Sequence, residues 1–64
     1  MDAINAAAEA IAAHQIATGT QGEPMENAIA DLLTDLRHYC EETQIRFEDA
    51  VFASGIRFEA ESID

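Results

Sequence analysis

Between Pro24 and about Glu42 the chain alternates apolar and polar positions with a helical rhythm. Met25, Ile29, Leu32, Leu36, Tyr39 and Thr43 follow one another at intervals of four and three, with Leu33 and Cys40 flanking the row. Glu26, Asp31, Thr34, Asp35, Arg37, His38, Glu41 and Glu42 fill the remaining positions. At about 100° per residue this sorting predicts an amphipathic helix over 24–42 with one core-facing stripe. The heptad-like spacing favours a shallow crossing with its neighbour.

The flanking segments are less plainly written. Residues 2–17 carry eight alanines, the best helix formers, so a helix is expected there. Its apolar stripe is thin: Ile4, Ala8 and Ile11 share a side and Ile16 lies well round from them. Little burial is on offer, so this helix is expected to be peripheral and prone to fraying. The stretch TGTQGE, 18–23, is a linker with two glycines among small polar residues. Pro24 then suits a helix start, where its missing N–H costs nothing.

From residue 45 the motif IRFE occurs twice, eleven residues apart. A β-hairpin at 45–63 is one reading, since Ile56, Phe58 and Ala60 alternate and ASG can serve as a turn. Helix is favoured because strands deplete the Glu, Asp and Ala that dominate here. Eleven residues are also about three helical turns, so both IRFE copies would face alike. The expected third helix, 45–62, is apolar on two sides. Phe47, Ala50, Val51, Ser54 and Phe58 should pack on the second helix, making an antiparallel helical hairpin. Ile45, Phe52, Ile56 and Ile63 form the opposite stripe, the expected interaction surface. A buried Phe or Ile contributes about 1.5–3 kcal/mol, a large share for a chain this short, so something should cover it. Three covers are open: the first helix folding back to close a three-helix bundle, a second copy of the chain, or a different protein.

Length supports one small all-α domain spanning 1–64, of marginal stability by itself. The single Cys40 offers no intrachain disulfide and suits a reducing, cytoplasmic setting. Asp2 and Glu9 in a start without basic residues argue against a secretory signal, and no run is long enough to span a bilayer. Thirteen acids against three arginines and no lysine give a formal charge of −10. Direct nucleic-acid binding and attachment to anionic membranes are therefore disfavoured. Such acidity confers solubility, or draws the chain to a basic protein surface.

Candidate chemistry is sparse. Asp31, Asp35, His38 and Glu42 make an acidic stripe on the outer face of the second helix. Acid-then-His at three residues' spacing resembles helical di-metal sites, but these need matching ligands from facing helices, which the sequence lacks. A solvated face is the expected state, with no metal and no cofactor. His14 and His38 are expected at the surface without a nucleophile beside them, and Cys40 as a small core hydrophobe. Arg37 can pair with Glu41 along the helix. No residue is expected to be catalytic; a metal-dependent helical hydrolase is the remotest alternative.

The stretch DLLTDLRHYCEETQIRFEDAVFASGIRFEAE resembles a carboxy-terminal pattern in small helical proteins of bacterial phages and integrative elements, DLLxDLxHxC followed by FxxAxxxA and a late Glu. Asp31 to Cys40, Phe47, Ala50 and Glu61 match, whereas Arg46 and Arg57–Phe58 depart from it. The resemblance covers about half the chain, consists mostly of core positions, carries no activity, and implies a bacterial accessory protein. The expected function is a non-enzymatic, acidic protein-interaction module, with a homodimer or a protein partner as its complement. The alternative is an acidic inhibitor that mimics nucleic acid and blocks a basic groove on a host protein.

Overall fold

The computed structural model describes residues 2–62. It contains three helices, α1 (Ala3–Thr18), α2 (Met25–Glu42) and α3 (Phe47–Ser62), and no strand among the described residues. The third segment is thus helical through Gly55, and the β-hairpin alternative is not supported among the described residues. No described helix is long and apolar enough to cross a membrane.

Each helix end has a local cause. The Asp2 carboxylate accepts from the Asn5 backbone N–H at 2.8 Å and so caps α1. Pro24 stands directly before α2, one position earlier than a first-turn proline, and its carbonyl accepts from Ala28 N–H. Two helices end in the same turn. At the close of α1, Gly19 adopts a left-handed φ of 72°, its N–H reaching the Ile16 carbonyl and that of Thr20 the Gln15 carbonyl. At the close of α2, Gln44 takes φ 62°, with Gln44 N–H on Glu41 O and Ile45 N–H on Cys40 O. Both are Schellman turns. Glycine fills the left-handed position freely, whereas a residue with a Cβ is strained there by about 1 kcal/mol or more.

Packing is where expectation and structure part. Helices α1 and α2 pack together, as do α2 and α3, but α1 and α3 do not meet. The first helix therefore does not fold back over the third, and no three-helix bundle closes. Among the described residues Ala28 is the one buried hydrophobic residue, at 1% exposure. The frame is correspondingly open. Its radius of gyration is 13.2 Å, against about 11 Å for a compact chain of this length. Its accessible surface is 5374 Å² for a mass of 7.0 kDa, against about 4,000 Å² for a compact monomer.

The side of α1 that packs is Ile11, His14 and Gln15, and on α2 it is the flank bearing Ala28 and Asp35. The His14 Nε2 lies 2.6 Å from the Asp35 carboxylate, across 21 residues of sequence. An ionised carboxylate can only accept, so Nε2 carries the proton. His14 Nδ1 is then buried without a partner. Gln15, also buried, donates from its side chain to the Thr20 carbonyl and ties α1 to the linker.

Candidate functional site

The largest unpartnered feature is apolar surface rather than a cleft of polar groups. On the outer side of α3, Val51, Phe52, Gly55, Ile56 and Glu59 line a notch of about 330 Å³. Phe52 is 72% and Ile56 57% exposed. Gly55 lies in the floor of this notch, and a Cβ built there would meet nothing within 4 Å. A glycine in a helix interior costs about 1 kcal/mol relative to alanine, and no packing within the chain requires it.

The expected interaction stripe is only partly continuous. Ile45 does not belong to the helix, which begins at Phe47 rather than 45. It is instead the residue that closes the Schellman turn of α2, and it lines a corner cavity of about 250 Å³ with Cys40, Arg46 and Phe47. Ile63 lies outside the described residues. Phe52 and Ile56, one turn apart, remain as the exposed helical pair.

The other side of α3 is less covered than its pattern suggested. Phe47 is half-buried, with the Arg37 guanidinium 4.9 Å from its ring centroid. Stacking on Phe47 replaces the expected pairing of Arg37 with Glu41. Beyond Phe47 the helices leave a cleft of about 530 Å³ lined by Ala30, Leu33, Thr34, Arg37, Phe47, Val51 and Ser54. Val51 stays half in water, and Phe58, at 72% exposure, is essentially bare. On α2 itself Met25, Ile29, Leu33, Leu36 and Tyr39 are also exposed, so the heptad stripe is largely unburied.

The acidic stripe divides. Asp31, His38 and Glu42 are exposed, while Asp35 serves the contact with α1. Asp35 itself stays exposed, its side chain 53% accessible, so all four stripe residues face solvent, whereas His14, its side chain 13% exposed, is not at the surface as expected. Among the described residues no three His, Cys, Asp or Glu side chains are grouped so as to hold a metal. Cys40 is free and half-buried. Arg46 lies 3.7 Å from Asp49, both highly exposed; such a pair contributes little. Sequence reasoning placed Asp35 on the acidic stripe but missed its contact with His14, and it missed the position of Gly55 on the exposed face of α3. The signal for His14 was available, since it follows Ile11 by three residues and so lies on the packing side of α1.

Comparison of the chain with protein-family models, with curated proteins and with solved structures returned no match.

Proposed function

We propose that the chain is a non-enzymatic protein-interaction module that works by burying apolar helix surface against protein. One observation carries this reading: large apolar side chains on all three helices stand exposed around a single buried alanine. Isolated exposed hydrophobes are ordinary, but contiguous apolar surface marks an interaction site. The working unit is an antiparallel α2–α3 hairpin. Its support is the short connection between the two helices and the cleft they share, lined by Ala30, Leu33 and Arg37 of α2 and Phe47, Val51 and Ser54 of α3. The resemblance of residues 31–61 to a pattern in small proteins of bacterial mobile elements supports reading the chain as a bacterial accessory protein.

The test is photocrosslinking in cells with a photoreactive phenylalanine analogue in place of Phe52, and the same analogue at Asn5 as control. Crosslinks to protein from position 52 and not from position 5 are expected. Equal yields at both positions, or none at 52, would refute the module.

A second reading is favoured by charge. Of thirteen acids, ion pairs among the described residues engage Asp35 and Asp49, leaving most carboxylates available to a basic groove. Nucleic-acid mimicry of that kind weakens steeply as salt rises. Retention of a captured partner between low and high salt separates the two readings.

A further inference from the structure

We infer that the partner covering the outer side of α3 is a second copy of this chain, whose own α3 crosses the first antiparallel at Gly55. The inference rests on the interaction-module reading and names its occupant. Three observations lead to it. The first is area. The chain exposes roughly 1,300 Å² more than a compact monomer of its mass, spread over all three helices with Phe52, Ile56 and Phe58 among the most exposed large side chains of α3, and a standard interface takes about 800 Å² from each partner. The second is the poverty of the core. A chain whose buried hydrophobic core is Ala28 needs its complement whenever it is folded, and only another copy is always present. The third is the notch. Gly55 lies at the middle of α3 (Phe47–Ser62), where a two-fold axis relating two antiparallel α3 helices would pass. A missing side chain at a crossing point lets two backbones approach closely. Phe52 and Ile56 flank the notch, so each copy offers both the bulky residues and the gap that receives them.

Charge sets the sign of the salt response. Glu59 borders the notch, and each copy carries a formal charge of −10. Association of two copies is therefore opposed by like charge and strengthened by salt, opposite to capture of a basic partner.

The experiment is sedimentation equilibrium of the full chain over a wide concentration range, with circular dichroism on the same samples. The wild type should reach twice its 7.0 kDa mass and associate more tightly at high salt. Gly55→Ala places a methyl group at the crossing and should weaken association by about tenfold or more. Because alanine favours helix over glycine, its ellipticity as a monomer should stay level or rise, which separates a lost interface from a failure to fold. Glu59→Gln should tighten the dimer. A helical wild type that stays at monomer mass throughout, or a Gly55→Ala dimer as tight as the wild type, would overturn the inference. Crosslinks from position 52 to a different protein alone would also overturn it while keeping the module; a monomer with no crosslinks at all would end both.

Discussion

Single residues decide how the helices stop, and two of them make opposite bets on one geometry. Gly19 and Gln44 occupy equivalent left-handed positions in matching turns. Replacing Gln44 by Gly should relieve strain and stabilise the fold by up to about 1 kcal/mol, raising the melting temperature by roughly 4–8 °C at fixed protein concentration. Gly19→Ala should do the reverse by a similar amount, since its φ of 72° suits no Cβ even though open space surrounds it. Thermal melts followed by circular dichroism check both, and an unchanged melting temperature for Gln44→Gly would show the turn to be unstrained. Phe47 is the other residue whose surroundings are specific. Phe47→Leu keeps an apolar group but removes the ring beneath Arg37, at 4.9 Å. A loss of about 0.5–1 kcal/mol is expected in urea unfolding, the usual magnitude of an exposed cation–π contact.

At the level of elements, α1 depends on a narrow join. Ala28 is small enough for close approach and the His14–Asp35 bond adds direction, while the unpartnered Nδ1 takes part of that gain away. Ala28→Leu should push α1 off α2, and Asp35→Asn should loosen it less. Hydrogen exchange should then rise across residues 3–18 and stay unchanged in α3, which α1 never touches; uniform acceleration in all three helices would mean the frame is more cooperative than its packing implies. The element pattern was largely legible beforehand. The 4-3-4-3-4 run of α2, the alanines of α1 and the eleven-residue repeat of α3 each foretold a helix to within two residues at either end. Which helix faces would meet was not legible. Periodicity says where apolar side chains lie around a helix, not which neighbour they find. Here α1 chose the flank holding Ala28 and Asp35 over the richer Ile29 and Leu36 line.

For the whole molecule the governing fact is extent, 37 × 30 × 19 Å for 64 residues. Two consequences are measurable. An associating chain should show a melting temperature that rises with protein concentration, and added salt should raise it further by screening the acids. Independence from both would mean that the open frame stands alone. The doubled apolar character of α3 was readable in the order of Phe47, Val51, Phe52, Ile56 and Phe58. The open surroundings of Gly55 were not, because a lone glycine in a helical pattern says nothing of what lies beside it. One outcome follows from the way α1 is seated. It leans on a carboxylate and an alanine and keeps clear of the greasy ridge of α3, so its detachment would bare few carbon atoms. Shedding that arm would leave the exposed face of α3 as it stands.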